Sequence, residues 1–233
     1  MPASPLSRTR ISVVLADDHR ILREGLAALM SREPDLDLVA TAEDGPSMLR
    51  QVRTHMPHVL VTDLSMPGLN GIDAVQRLRA ELPQVQVLCL SVHDEDRLVL
   101  AMIEAGASGY VLKDGSFDEL ALALRQVMLG RIYISPALSG VMVREMRRRK
   151  TGPAMVESPT LTARERQLVQ LFSEGYTTNE IAEQLHVSPK TVATHRENVL
   201  HKLQLRGVAE LTRYALREGL SSLDATPRTS LNR

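Results

Sequence analysis

Acidic residues recur just beyond short apolar runs in the first half of the chain: Asp17 and Asp18 after Ile11–Ala16, and Asp63 near the end of Val59–Leu64. Ser91 follows Val85–Leu90, and Lys113 follows Gly109–Leu112. Brought to one place, three carboxylates repel, since two unit charges about 4 Å apart cost roughly 4 kcal/mol at an effective dielectric near 20. Such a cluster calls for a hard divalent cation, and oxygen ligands favour Mg2+. A lysine and a hydroxyl aimed at the same point would hold an oxyanion beside the metal. Carboxylate nucleophile, cation, lysine and hydroxyl together describe phosphoryl transfer onto an aspartate. Taken singly, each residue has a plainer reading. Asp17-Asp18 is a solvated turn or helix cap, Ser91 an ordinary N-terminal turn residue and Lys113 a surface lysine.

For these residues to meet, the runs that precede them must be neighbouring strands. Together with Leu36–Ala42 they are short, rich in Val and Leu and apolar on both faces, as parallel strands covered by helices should be. Helical spacing falls between them near 19–31, 45–56, 71–81 and 95–105, and again near 117–129. Asp44 can cap the second helix, and Ser116 with Glu119 forms a capping box for the fifth. This alternation predicts an α/β doubly wound, five-stranded parallel sheet, whose ligands bind beyond the carboxyl ends of the strands.

Composition sets the frame. The chain has 233 residues, 43% apolar and 24% charged, which is globular and long enough for two small domains. No apolar run approaches 18 residues, so no membrane helix is expected. The single Cys89 excludes an internal disulfide and reads as an inert core residue, and the protein is expected to be soluble and cytoplasmic. A net charge of zero hides a split: residues 1–130 hold 12 Lys and Arg against 18 Asp and Glu, while 131–233 hold 16 against 10. An acidic part joined to one that meets a polyanion would have this asymmetry.

The quoted segments Leu15-Ala16-Asp17-Asp18-His19, Val61-Thr62-Asp63-Leu64-Ser65-Met66-Pro67-Gly68, Leu90-Ser91-Val92-His93 and Gly109-Tyr110-Val111-Leu112-Lys113-Asp114 resemble the receiver domain of two-component response regulators, in order and over about residues 9–130. The resemblance implies a flavodoxin-like sheet with Asp63 as phosphoacceptor. It implies that Asp17, Asp18 and Asp63 hold Mg2+ with the backbone carbonyl of Ser65, and that Lys113 and Ser91 bind the phosphoryl oxygens. Tyr110 would rotate inward as the second switch element. Ser65 and His93 take the positions that tune dephosphorylation.

Beyond residue 130 the strand signals fade. Ser135-Pro136 opens a helical pattern, with serine as cap, that runs through Val141 and Met146 into Arg147-Arg148-Arg149-Lys150 and breaks at Thr151-Gly152-Pro153. Residues 131–158 therefore read as a partly helical basic linker. Thr162 with Glu165 and Thr177 with Glu180 are capping boxes, and Ser188-Pro189 starts a third helix running to Leu203. A fourth runs from Gly207 to about Glu218, making an all-α four-helix part, with the tight turn His186-Val187-Ser188 at helix-turn-helix spacing. Residues 221–233, rich in Ser, Thr and Arg, read as a disordered tail.

Leu161-Thr162-Ala163-Arg164-Glu165, Thr178-Asn179-Glu180-Ile181-Ala182, Ser188-Pro189-Lys190-Thr191-Val192 and His195-Arg196 to Lys202-Leu203 resemble the LuxR-type DNA-binding domain, over about 159–220. With a receiver before it, the chain looks like a NarL/FixJ-class response regulator. That resemblance implies a recognition helix in the major groove of double-stranded promoter DNA, with Ala193, Thr194 and Glu197 at base edges. Lys190, Thr191, His195, Arg196, Lys202 and Arg206 would lie near phosphates. It further implies a sensor histidine kinase as phosphodonor, a homodimer when phosphorylated and RNA polymerase as a partner at the promoter. Residues 155–220 hold eight Lys and Arg against eight Asp and Glu, so a lone head would bind DNA weakly and two heads on two half-sites are required. There are two rival readings: a phosphatase using Asp63 as nucleophile, which leaves the helix-turn-helix unexplained, and a phosphorylation-independent regulator using the receiver as a protein-binding module, against which the intact acid pair and Lys113 argue. The chain is therefore expected to be a regulator and not an enzyme.

Overall fold

A computed structural model of the chain describes residues 10–151 and 161–221. The break expected at Gly152-Pro153 and the tail at 222–233 lie outside the described residues.

Strands β1 (Ile11–Ala16), β2 (Leu36–Ala42), β3 (Val59–Thr62), β4 (Gln86–Ser91) and β5 (Gly109–Leu112) all pair in parallel. A sixth strand, β6 (Tyr133–Ile134), completes the order β2-β1-β3-β4-β5-β6. The expected five strands are thus six. Two residues are too few to carry a period, and β6 exists because Gly109 leaves room for it: a Cβ there would sit 2.6 Å from the Tyr133 carbonyl oxygen.

Helices α1 (Arg20–Met30) and α5 (Phe117–Met128) cover one face, while α2 (Gly45–His55), α3 (Gly71–Glu81) and α4 (Asp96–Glu104) cover the other. The central strands serve both. On β1, Val13 and Leu15 face the α1–α5 core, while Val14 and Ala16 face the α2–α4 core. Period-two geometry therefore buries each apolar residue on one side or the other, at about 1.5–3 kcal/mol for a fully buried Val or Leu. Asp44 caps α2 with a full capping box through Ser47. The box expected at α5 is half formed: Ser116 accepts from Glu119 N–H, but the Glu119 carboxylate takes the Ser135 hydroxyl instead.

That same hydroxyl corrects the reading of Ser135 as a helix cap. It accepts from Leu112 N–H and donates to Glu119, while Pro136–Leu138 forms a single 3-10 turn before α6 (Ser139–Thr151). Leu138 and Val141 enter the α2–α4 core and Arg144 pairs with Asp96 at 2.5 Å. The first half of the segment read as a linker is thus folded onto the sheet.

The helical part follows the capping signals: α7 (Ala163–Ser173), α8 (Thr178–Gln184), α9 (Pro189–Lys202) and α10 (Val208–Arg217). Thr162 and Thr177 close reciprocal boxes with Glu165 and Glu180, and Ser188 caps α9. Leu168, Leu171, Phe172, Ile181, Val192, Val199, Leu211 and Ala215 make its core.

Candidate functional site

The chain leaves β1 in one direction and β3 in the other, so the crevice between them is the switch point where such sheets bind ligands. Backbone bonds carry the ladder one residue past each strand end and thereby fix the site. Asp17 N–H bonds Ala42 O, Asp63 N–H bonds Ala16 O at 2.9 Å, and Lys113 N–H bonds Ser91 O at 2.9 Å. Asp63 stands one residue beyond β3, and Ser91 is the last residue of β4.

Asp17, Asp63 and Lys113 meet. Lys113 Nζ donates to Asp63 Oδ2 at 2.8 Å and lies 2.9 Å from Asp17 Oδ2. The other oxygen of Asp63 accepts from Leu64 N–H at 2.6 Å. Burial alone would lower the Lys113 pKa, but the two carboxylates outweigh it and hold the ammonium above its ordinary value. Asp18 is pushed up by burial, with His19 opposing and Asp63 and Asp17 adding to the rise. His19 Nδ1 stands 2.8 Å from Asp18 Oδ1 and 3.2 Å from Asp17 Oδ1. Asp17, Asp18, His19 and Asp63 each offer a ligand atom, and these atoms lie within 4.8 Å of one another. Three hard carboxylates, two of them on one lysine and the third resisting ionisation, fit a divalent cation of the Mg2+ type.

Around this centre, Ser65 is buried with its Oγ 3.4 Å from His93 Nε2. Ser91 Oγ accepts from His93 N–H at 3.1 Å. Tyr110 is fully buried, and its hydroxyl donates to His93 O at 2.8 Å. The inward ring position assigned by resemblance to the switched state is therefore occupied in this structure. Above Asp63 lies a depression of about 420 Å3, lined by His19, Ile21, Leu22, Ser65, Val92 and Lys113 among others. Ile21 and Val92 stand 88% and 70% exposed at its rim.

The helical part meets α3, α4 and the loop after β3 behind this crevice. Arg166 of α7 holds Asp73, the buried carboxylate in the first turn of α3, through its Nε at 2.9 Å and through a second guanidinium nitrogen. Arg97 of α4 pairs with Glu218, just past α10, at 2.5 Å. Neither pair was foreseen, because partners 93 and 121 residues apart leave no local pattern.

Helix α9 buries Val192 and Val199 and turns Lys190, Thr194 and Glu197 to solvent, with Asn198 and His201 beside them. Ala193, Thr191 and His195 are half-buried at its flanks, and Arg206 is exposed beyond its end. The expected phosphate-facing set is not uniform. Lys202 is paired with Glu165 at 2.8 Å, and the Arg196 guanidinium lies 5.8 Å from the centre of the Phe172 ring. Asn198 and His201 are exposed on the same helix, opposite or beside the seven-residue stripe of Val192 and Val199.

Residues 13–125 match the response regulator receiver domain, and residues 159–215 match the bacterial regulatory proteins of the luxR family. The chain belongs to the family of response regulators that join a receiver to a LuxR-type DNA-binding domain and regulate transcription. Among its relatives, the oxygen regulatory protein NreC of Staphylococcus epidermidis is 34% identical over 90% of this chain and 99% of its own. The transcriptional regulatory protein DegU of Brevibacillus brevis is 32% identical over 92% and 96%. The signal receiver domain of NarL from Mycobacterium tuberculosis is 32% identical, with a TM-score of 0.52 over 53% of this chain and 99% of that one. The response regulator RcsB of Salmonella typhimurium, 25% identical, covers 88% of this chain and 98% of its own with a TM-score of 0.56. Among the described residues no helix is long and apolar enough to cross a membrane.

Proposed function

We propose that this regulator is switched by phosphorylation of Asp63, with a sensor histidine kinase as donor, and that the phosphorylated form dimerises and binds double-stranded promoter DNA. The observation that carries the reading is Lys113 bridging Asp63 and Asp17 at the floor of an open crevice. A carboxylate oxygen of Asp63 attacks phosphorus, and the bond from phosphorus to the kinase histidine breaks. Lys113, which neutralises the acidic pair at rest, turns to the new phosphoryl oxygens, and Ser91 exchanges its bond from His93 for one to the same group. Asp17, Asp18, Asp63 and the Ser65 carbonyl would hold Mg2+, which supplies charge neutralisation on the transferring group.

We further assign residues 9–130 to the phosphoacceptor unit, 131–158 to a connector whose first half is folded onto it, 159–220 to the DNA-binding unit and 221–233 to a tail. On DNA, Ala193, Thr194 and Glu197 read bases, while Lys190, Thr191, His195, Arg196, Lys202 and Arg206 sit near phosphates. Arg196 and Lys202 reach phosphates by leaving Phe172 and Glu165. Asp63 is a phosphate store and not a turnover nucleophile, so the chain acts as a regulator and not an enzyme. RNA polymerase at the promoter and the cytoplasm as its compartment follow from that role.

The test is incubation with acetyl phosphate and Mg2+, read on a phosphate-affinity gel and by light scattering. Wild type is expected to gain one acid-labile phosphate and double in mass, and Asp63→Asn to do neither. Equal phosphorylation of the variant would overturn the assignment.

A further inference from the structure

Behind the phosphoacceptor crevice, the seam between the sheet domain and the helical part buries two polar side chains, Gln170 of α7 and Glu174 just past it, that are not fully satisfied. Gln170 is 1% exposed; its Nε2 donates to Met66 O at 2.8 Å and to Glu174 Oε1 at 2.7 Å. Glu174, 9% exposed, also takes Gly68 N–H at 3.4 Å on the same oxygen. The remaining oxygens, Gln170 Oε1 and Glu174 Oε2, are buried with no hydrogen-bond partner. Two acceptors left over and no donor is an expensive arrangement. Glu174 is also the C-cap of α7, where the helix dipole disfavours a negative charge.

We propose that the seam is a proton-dependent latch: the two parts close on each other with Glu174 protonated and separate when Glu174 ionises. One proton on Oε2 turns an orphan acceptor into a donor and removes a buried charge at a helix C-terminus. Opening returns the carboxylate to water, where it ionises freely.

The groups facing Glu174 are the Gln170 amide from α7 and the Gly68 N–H from the loop after β3, and neither titrates in this range. The charges elsewhere on the seam are engaged in pairs, Asp73 with Arg166 and Arg97 with Glu218. Burial raises the Glu174 pKa from 4.5 to about 7, opposed by the bonds from Gln170 and Gly68. The sign follows: the closed form binds the proton, so acid favours closure. The opening constant rises as pH climbs from 4.5 towards 7, by at most about tenfold per pH unit, and levels off above 7.

The latch holds whether or not Asp63 accepts a phosphoryl group, so it is tested without phosphodonor and in EDTA. Full-length protein carrying dyes at Arg50→Cys and Arg213→Cys is followed by single-molecule energy transfer from pH 5 to 8. Both positions are exposed, and Cys89 is buried. Wild type is expected to shift from closed to open populations, by about fortyfold in their ratio between pH 5 and 7. Glu174→Gln should give a flat profile. Glu174→Met, checked with it by circular dichroism, should also be flat and serves if Glu174→Gln does not fold. Asp73→Asn, which breaks the Arg166 pair, should be more open than wild type at every pH and so calibrates the readout. A wild-type ratio that does not move, or variants that follow the wild-type curve, would overturn the proposal.

Discussion

Lys113 carries the charge balance of the crevice at the residue scale. Its side chain is 7% exposed, and the Asp17 and Asp63 side chains it neutralises are 0% and 6% exposed. Lys113→Met leaves two buried carboxylates facing each other, which should cost about 3–5 kcal/mol. Urea unfolding in EDTA measures this, and saturating Mg2+ should recover part of the loss. A variant as stable as wild type in EDTA would show that Lys113 does not hold the pair. Asp18 tests the cation from the other side. Wild type should gain about 2.7 kcal/mol at a Mg2+ concentration a hundred times its dissociation constant, whereas Asp18→Asn should gain almost nothing. Thermal melts with and without Mg2+ compare the two. Tyr110 is buried and bonded to His93 O while Lys113 rests on Asp63.

At the scale of elements, the loop from β3 to α3 presses closest on the chemistry. Gly71 opens α3 against the backbone that carries the phosphoacceptor, and a Cβ there would stand 2.9 Å from both Asp63 O and Leu64 Cα. Those are backbone atoms that cannot swing aside. Gly71→Ala should therefore cost about 1–3 kcal/mol and slow phosphorylation by acetyl phosphate. Denaturant unfolding and the phosphate-affinity gel report the two effects, and an unchanged rate at lowered stability would separate packing from function. The helical part depends on its caps. Removing the Thr177 hydroxyl by Thr177→Ala should cost about 1 kcal/mol, read by thermal unfolding.

At the scale of the whole molecule, α9 presents its outward face to solvent while α7 lies against α3 and the loop that precedes it. Arg166→Met leaves the Asp73 carboxylate, 2% exposed, with only the Asn70 amide on it and should open the seam. The expected result is a larger radius of gyration by X-ray scattering and tighter DNA binding by the unphosphorylated chain. An unchanged radius would show that Arg166 does not hold the parts together. Binding should also steepen with protein concentration, because a head with balanced charges gains its affinity from pairing.

The sequence by itself determined the elements and most of the crevice. Val13 to Ala16 or Val59 to Thr62 can only be buried on both sides, and each carries its acidic residue one step past the strand, so placing the strands also places Asp17 and Asp63. Capping chemistry is equally local, and Thr162, Thr177 and Ser188 marked their helices from within four residues. Tertiary structure decided what depends on distant partners. The half-formed box at Ser116, the hydroxyl of Ser135 and the two-residue strand β6 each turn on a group brought in from another element. The same holds for the seam. Nothing around Glu174 in the chain distinguishes it from any surface glutamate at a helix end. Its burial, its orphan oxygen and its proton arise only because α7 docks on a loop more than a hundred residues earlier.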